Sequence, residues 1–159
     1  MTDHPAIEAY DEIDSTNAEA RRRAEAGAGG PVWITAAVQT AGRGRRGRAW
    51  STERGNLAAT LLMTTDLPPA EAAQVSFVAA LAACDLADAC LGQGAARLKW
   101  PNDVLVHGRK AVGILVESGA RQDARLWLAV GIGVNLKHAP TNVERPATAE
   151  VPGTSVLGA

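Results

Sequence analysis

The sequence predicts an α+β fold with a mixed, mainly antiparallel sheet and packed helices. One long apolar helix is predicted over residues 68–91, and it is followed by several short apolar runs separated by turns. No Gly-x-Gly-x-x-Gly unit joins a strand to a helix, and no Gly-Lys-Ser/Thr motif occurs. A Rossmann or P-loop fold is therefore disfavoured.

The N-terminal part predicts a strand followed by a helix. Residues 6–13 alternate loosely in polarity, as in a short strand, and residues 18–26 are rich in alanine, arginine and glutamate. Three neighbouring residues are candidates for the helix N-cap: Asp14, Ser15 and Thr16. Glu19 stands three residues after Thr16, which is the spacing of a capping box.

A strand, a loop and a second strand are predicted next. The glycine-rich segment 27–31 ends the first helix, and residues 32–38 are typical of a buried strand. A loop follows over residues 39–55, and residues 56–64 again resemble a strand.

The long helix is predicted to begin at the pair of prolines at 68 and 69, which suit a first turn, and to end before the glycines at 92 and 94. Its apolar side is expected to carry Val75, Val78, Ala79, Leu81, Ala82, Leu86 and Leu91. Four strands follow, at residues 96–100, 104–107, 111–117 and 124–135. From residue 138 onward no element is predicted.

Composition limits the class of protein. The chain has 159 residues, enough for one domain, and a net charge of -1, which argues against a general nucleic-acid binder. Cys84 and Cys90 do not have metal-site spacing and are expected to be small buried residues. No signal peptide is visible, and no apolar run is expected to reach the roughly 20 residues that cross a bilayer. We expect a cytoplasmic protein that does not bind membranes.

The segment Gln39–Trp50 is the most unusual part of the chain. Within it, four arginines and three glycines alternate in seven residues: Gly42, Arg43, Gly44, Arg45, Arg46, Gly47 and Arg48. Arginine suits carboxylates and phosphates, and glycine lets the backbone approach a ligand. A solvated turn, a nucleic-acid contact and a loop that closes over an anion all remain open, and the glycine spacing favours the last.

Three further clusters contain candidate ligand-binding residues. Lys99–Asp103 predicts a strand end and a turn whose Asn102 and Asp103 offer oxygens to Mg²⁺ or a polar ligand, with Lys99 as a nearby cation. In Gly131–Asn135, glycines interrupt an apolar strand, which requires a packing or ligand reason.

The third of these clusters is the strand Lys110–Glu117. Strict alternation would place Lys110, Val112, Ile114 and Val116 on one face and Ala111, Gly113, Leu115 and Glu117 on the other. Lys110 is either a solvated strand end or a group that stabilises negative charge in an active site, and Gly113 leaves room for a ligand.

Together with Ser15-Thr16-Asn17, these clusters resemble the catalytic domain of biotin protein ligases, also called biotin–[acetyl-CoA-carboxylase] ligases. The five motifs occur in the family's order and cover residues 12–136. The resemblance implies the class II synthetase-like fold of biotin and lipoate ligases. It also implies an enzyme that uses ATP, with Mg²⁺, to convert biotin into biotinyl-5′-AMP and then transfers biotin to a lysine of a biotin carboxyl carrier protein.

The resemblance also implies roles for individual residues. Contacts with biotin are implied for Ser15, Thr16, Asn17 and Gln39. The closing loop would contain Gly42, Arg43, Gly44 and Arg45. The catalytic residues would be Lys110, which would hold the biotin carboxylate and the α-phosphate, together with Arg45 and the phosphate-binding Arg48. Binding-site positions are implied for Trp50, Lys99, Asn102, Asp103, Gly113 and Asn135.

Some of these assignments keep alternatives. Asp103 and Asn135 are the predicted Mg²⁺ ligands, but Asp103 could instead act on the incoming carrier lysine. Trp50 could be a core residue, and for Trp100 packing in the core is the preferred interpretation.

The resemblance further sets expectations about domains and partners. The chain is expected to form one catalytic domain over residues 1–159, without an N-terminal DNA-binding domain and without the family's C-terminal helices and SH3-like domain. Part of the adenine site would then lie outside this sequence. A homodimer is also an expectation, because family members dimerise through the sheet. A lipoate-type enzyme on the same fold and a non-catalytic biotin-binding fragment are the alternative functions.

Overall fold

A computed structural model describes residues 4–139, which form one seven-stranded mixed sheet with helices on both faces. The strands are β1 (Ala6–Ile13), β2 (Val32–Gln39), β3 (Leu57–Thr65), β4 (Ala96–Lys99), β5 (Asp103–Val106), β6 (Arg109–Ala120) and β7 (Leu126–Val134). The helices are α1 (Thr16–Glu25), α2 (Pro69–Ala72) and α3 (Val75–Leu91). The strand order is β1-β2-β3-β7-β6-β5-β4.

Only β1 and β2 pair in parallel, and every other neighbouring pair in the sheet is antiparallel. The predicted α+β fold with a mixed, mainly antiparallel sheet is therefore confirmed. The predicted strands all exist, and β6 is the one that extends furthest beyond its predicted bounds, at both ends. The prediction for the tail falls mostly on residues 140–159, which lie outside the described residues.

The sheet has two cores because side chains along each strand alternate between its faces. On one face, Trp127 and Ala129 of β7 pack with Ala20 and Ala24 of α1. On the other face, Leu128 and Val130 of the same strand belong to the larger core under α3. The face covered by α1, called here the α1 face, is the one that carries the candidate site.

The predicted apolar side of the long helix is only partly confirmed, because Ala79 is buried and Val75 and Leu91 pack against the core, but the other buried positions differ. The buried residues of α2 and α3 are alanines: Ala72, Ala79, Ala80, Ala83 and Ala87. Val78, Leu81 and Leu86 are exposed instead. The small alanine side chains let the helix backbone lie close to the sheet, where valines of β5 and β6 fill the space between the two layers. The predicted single helix is also divided, with Ala73 and Gln74 between α2 and α3.

Two other expectations about this region are corrected. By length and composition alone, the segment Pro69–Leu91 is long and apolar enough to cross a bilayer, although no such run was expected. A helix that packs on a sheet through one face meets the same criterion, and α3 packs in this way. Cys90 is exposed and Cys84 only partly buried, so the expectation that both are buried is also wrong.

The alanine face gives a stability prediction. Ala83 is buried against the sheet, so Ala83→Leu should overpack the interface and lower the free energy of unfolding by about 1–3 kcal/mol. Leu81→Gln on the exposed face is the matched control and should change it by less than about 0.5 kcal/mol. Urea denaturation measures both, and equal losses in the two variants would contradict the packing described here.

Candidate functional site

The N-terminus of α1 forms one end of the site. Ser15 is the N-cap, and its hydroxyl accepts a hydrogen bond from the Ala18 amide at 3.4 Å. The capping box expected from Thr16 and Glu19 is not formed, because the Glu19 carboxylate binds arginines of its own helix instead. Since the Ser15 oxygen acts as an acceptor, its proton can still be donated to a ligand.

Asp14 fixes the turn that leads into the helix. Its carboxylate accepts from the Ser15 amide at 2.7 Å and from both terminal nitrogens of Arg22 at 2.8 and 2.9 Å. The hydrogen bonds from Arg22 are the largest cause of a lowered pKa for Asp14, about 2 instead of 3.8. The carboxylate therefore stays charged and holds Ser15 in place over nearly the whole pH range.

A buried hydrogen-bond network joins the start of α1 to β2 and β3. The side-chain oxygen of Gln39, Oε1, accepts from the backbone amide of Thr16 at 2.8 Å and lies 3.1 Å from the Thr16 hydroxyl. The side-chain nitrogen of Gln39, Nε2, donates to the Thr52 hydroxyl at 2.9 Å. The hydroxyl of Thr60, a fully buried residue, lies 2.8 Å from the Thr16 hydroxyl and 2.7 Å from Asn17 Oδ1. The predicted biotin-binding residues Thr16, Asn17 and Gln39 are thus brought together.

Asn17 continues the network across the sheet to β6. Its amide nitrogen donates to Glu117 Oε2 at 2.8 Å and more weakly to the Leu115 carbonyl at 3.3 Å. The Asn17 amide occupies the space above Gly131, where a Cβ atom would collide with Asn17 Oδ1. A glycine in the middle of β7 is therefore required for packing, which explains one of the glycines noted in the sequence.

The arginine loop folds back on itself as a hairpin. The Trp50 amide donates to the Gly42 carbonyl at 2.9 Å, and the Gly44 amide donates to the Arg48 carbonyl at 2.7 Å. A short 3-10 turn, Arg45–Gly47, forms its tip. The four arginine side chains of this loop are exposed, so they can meet a ligand from solvent.

Trp50 lies against a pair of glycines that face each other on β6 and β7. Gly113 and Gly133 are register partners, and a Cβ on either would collide with the Trp50 indole. The Lys110 ammonium lies 5.4 Å from the centre of the Trp50 ring, within cation–π range. Trp50 thus packs on the sheet and lines the site at the same time, so the two interpretations of this residue are not exclusive.

Lys110 lies on the α1 face, which strict alternation along β6 did not predict. The β5–β6 register shifts, since Leu105 pairs with Lys110 but Val104 pairs with Val112. Ala111 is therefore an extra residue, a β-bulge, and it is buried with Val112 under α3. The bulge turns Lys110 towards Trp50 and Gly113, onto the face opposite to Val112.

Charged and polar side chains gather around Lys110. Its ammonium lies 2.8 Å from Asp103 Oδ1, and the Lys99 ammonium lies 4.0 Å from Asp103 Oδ2. Asn102 binds β6 through its side-chain nitrogen, which donates to the Ile114 carbonyl at 2.9 Å. Its oxygen accepts from Arg45 at 2.9 Å. The arginine loop therefore already touches the Lys99–Asp103 segment, as expected for one site.

The predicted residues that remain are Asn135, Arg48 and Trp100. Asn135 is buried directly after β7, and its backbone amide donates to the backbone carbonyl of the bulge residue Ala111 at 2.8 Å. Arg48 directly follows the tip turn of the loop, and its carbonyl accepts from the Gly44 amide. Trp100 is 80% exposed, so the preference for packing in the core is wrong for this residue.

Three residues of the site were missed by the sequence analysis. Thr52, Thr60 and Glu117 all hydrogen-bond predicted binding residues. Glu117 ends a motif that was noticed, but nothing in its spacing pointed to Asn17, which is 100 residues away in sequence. The two threonines had no signal, because a threonine in a strand is ordinary.

The site therefore has two chemically different ends on one sheet face. Asn17 lies over Gly131, and Trp50, beside Lys110, lies over Gly133. Two residues along a strand separate same-face positions by roughly 7 Å. The arrangement can bind a short ligand with a neutral hydrogen-bonding group at one end and an anion at the other.

Comparisons with known proteins agree with this geometry. Residues 11–135 match the family described as "Biotin/lipoate A/B protein ligase family". A biotin–[acetyl-CoA-carboxylase] ligase of Paracoccus denitrificans is 49% identical over 91% of this chain. The crystal structure of a Leishmania major biotin protein ligase in complex with biotin has a TM-score of 0.77 over 96% of this chain at 29% identity. An Aquifex aeolicus biotin protein ligase in complex with biotin and ATP has a TM-score of 0.67 over 95% of this chain, also at 29% identity.

The chain is shorter than these relatives. It covers 60% of the Paracoccus protein, 63% of the Leishmania chain and 59% of the Aquifex chain.

The buried network gives a second stability prediction. Thr60→Val keeps the shape of the side chain but removes the hydroxyl between Thr16 and Asn17, so the free energy of unfolding should fall by about 1–3 kcal/mol. Thr64→Val, on the same strand, is the control and should stay within about 0.5 kcal/mol of the wild type. Urea titration compares them, and an unchanged Thr60→Val would show that the network does not stabilise the fold.

The Asp14–Arg22 pair gives a pH prediction. Because the pKa of Asp14 is lowered from 3.8 to about 2, its stabilising effect is complete above pH 3.8 and disappears as the pH falls towards 2. Asp14→Asn should therefore lose less stability than the wild type over that window, while the remaining carboxylates still titrate. Urea unfolding at several acid pH values tests this, and parallel curves for the two proteins would contradict it.

Proposed function

Because this chain belongs to the biotin/lipoate A/B protein ligase family, we propose that it activates biotin with ATP to biotinyl-5′-AMP and supports transfer of biotin to a lysine of a biotin carboxyl carrier protein. One observation carries the proposal. A buried, neutral hydrogen-bonding cluster and a group of cations lie side by side on the α1 face, above two glycine-containing strands.

The neutral end suits the ureido group of biotin, which has one carbonyl acceptor and two N–H donors. Ser15 offers its hydroxyl proton at the N-terminus of α1, where the helix dipole favours a carbonyl oxygen, and the Thr16 hydroxyl oxygen can accept from an N–H group. Gln39 and Asn17 offer amide oxygens to N–H donors. Because these side chains are already fixed by one another, little conformational entropy is lost when the ligand binds.

The cationic end suits the reaction between two anions. The biotin carboxylate must attack the α-phosphorus of ATP, forming a new P–O bond while the bond to pyrophosphate breaks. Repulsion between the two groups has to be offset by fixed positive charge, and Lys110, Lys99 and Arg45 provide it. Lys110 pairs with Asp103 in the structure, and in our proposal it exchanges this partner for the substrate oxygens.

The exposed arginine loop suits the protection of the product. A mixed anhydride of biotin and AMP is hydrolysed easily in water, so a loop that covers it is an advantage. The contact between Arg45 and Asn102 joins the tip of the loop to the Lys99–Asp103 segment. We propose that this contact helps to close the loop over the adenylate.

The described residues do not build a Mg²⁺ site by themselves. Within residues 4–139, the carboxylate paired with Lys110 is that of Asp103, and this ion pair measures 2.8 Å. No group of three or more His, Cys, Asp or Glu residues within 4–139 could hold a metal ion. We propose that any Mg²⁺ enters with the phosphates of ATP, and the predicted ligands Asp103 and Asn135 remain predictions.

The direct test is biotin-dependent release of pyrophosphate from ATP in the presence of Mg²⁺. We expect release that requires biotin and ATP together. Its absence at saturating concentrations would favour the alternative of a biotin-binding chain without catalytic activity. The same assay with lipoate in place of biotin distinguishes the lipoate-type alternative, and pyrophosphate release with lipoate but not with biotin would support it.

Lys110 gives a prediction for the chemical step. Lys110→Ala should lower the rate of adenylate formation by about 100-fold or more, because one stabilising charge is lost from the transition state. Biotin affinity should fall much less. Lys137→Ala, an exposed lysine after β7, is the control and should keep wild-type rates. Single-turnover measurements of the rate of biotinyl-AMP formation test this prediction. An unchanged rate in Lys110→Ala would rule out the proposed role of Lys110.

A further inference from the structure

The carboxylate of Glu117 contacts both the α1 end of the site and the arginine loop. Its Oε2 accepts from Asn17 at 2.8 Å, and its Oε1 lies 3.8 Å from a terminal nitrogen of Arg43. We propose that Glu117 is a positioning residue, which orients Asn17 for ligand binding and tethers the arginine loop to the sheet. This inference rests on the proposed function, because the ligand concerned is biotin.

The first part of the role is to fix the orientation of the Asn17 amide. Oxygen and nitrogen of an amide have similar shapes, so Asn17 could in principle point either atom towards β6. The Glu117 carboxylate only accepts hydrogen bonds, and it would repel the amide oxygen. The nitrogen therefore faces Glu117, and the oxygen faces the Thr60 hydroxyl at 2.7 Å.

This orientation is passed on through the network. Because Asn17 Oδ1 accepts from Thr60, the oxygen of the Thr60 hydroxyl is left to accept from Thr16 at 2.8 Å. Thr16 is one of the proposed ureido contacts. Glu117 thus determines, through two intermediates, which groups of the buried cluster donate and which accept.

The second part of the role concerns the arginine loop. Arg43 is the first arginine of the loop and comes directly before the hairpin pair Gly44 and Arg48. The pair with Glu117 is long and its side chains are 45% and 27% exposed, so its contribution is modest. A modest tether is suited to a loop that must open to admit substrates and close over the intermediate.

The position of Glu117 on β6 makes both contacts possible. It lies on the same side of the strand as Gly113 and Leu115, four and two residues before it, and this side faces α1. A residue at 116 or 118 would face α3 instead. The role therefore depends on the register of β6 as well as on the carboxylate itself.

Two variants separate the parts. Glu117→Gln keeps an oxygen that can accept from Asn17 but removes the charge that attracts Arg43. Glu117→Ala removes both contacts. Glu71→Gln, an exposed glutamate on α2, is the matched control for loss of one charge.

Biotin affinity, measured by isothermal titration, reports on the Asn17 part. We expect Kd to rise about threefold in Glu117→Gln and at least about tenfold in Glu117→Ala, because the second variant leaves Asn17 without its main acceptor. In a double-mutant cycle with Asn17→Ala, the effects of Glu117→Ala and Asn17→Ala should be far from additive. Additive effects would show that Glu117 does not act through Asn17.

Hydrogen exchange without ligand reports on the tether. The Gly44 and Trp50 amides, which close the loop hairpin, should exchange several-fold faster in both Glu117 variants than in Glu71→Gln, while β7 amides stay unchanged. Unchanged exchange at these amides would overturn the tether.

The two measurements also separate this inference from the proposed function. A wild-type chain that binds biotin, with Kd values unaltered in both Glu117 variants, overturns the positioning role and leaves the proposed function intact. A wild-type chain that binds no biotin overturns the proposed function, and with it the role of Glu117 towards Asn17 and biotin. In that case the exchange rates still test whether Glu117 tethers the arginine loop.

Discussion

The site depends on the buried hydrogen-bond network that joins the N-terminus of α1 to the sheet. Thr16, Asn17 and Thr60 are each at least 95% buried, so their polar atoms would be costly to leave without partners. They satisfy one another, and Gln39 and Glu117 complete the set. The position of α1 is therefore fixed by polar contacts as well as by its alanines, and the orientation of the proposed biotin contacts follows from the fold itself.

The geometry of the other end depends on backbone features of the sheet. Two facing glycines make room for Trp50, and a one-residue bulge at Ala111 brings Lys110 beside that ring. Without the bulge, Lys110 would point into the core under α3. The glycine pair and the bulge thus bring the cations to the same face of the sheet as the neutral cluster. The two ends of the site lie close together because they contact Gly131 and Gly133 of β7.

Much of this arrangement was predictable from sequence, because its signals are local. Apolar runs and turn residues located every strand, and the order of five motifs indicated the family. The errors have tertiary causes. Periodicity does not show that α3 packs through alanines while Leu81 and Leu86 face outward, nor that a bulge reverses Lys110. Thr60 and Glu117 become site residues only when strands distant in sequence meet α1.

The central claim is that a preformed biotin site, with a neutral and a cationic end, lies on the α1 face. Isothermal titration of biotin into the wild-type chain, alone and with a non-hydrolysable ATP analogue, tests it most directly. The account predicts one biotin site per chain in the absence of nucleotide, since the neutral cluster is already ordered. Failure to bind biotin under either condition, in a chain shown to be folded, would contradict it.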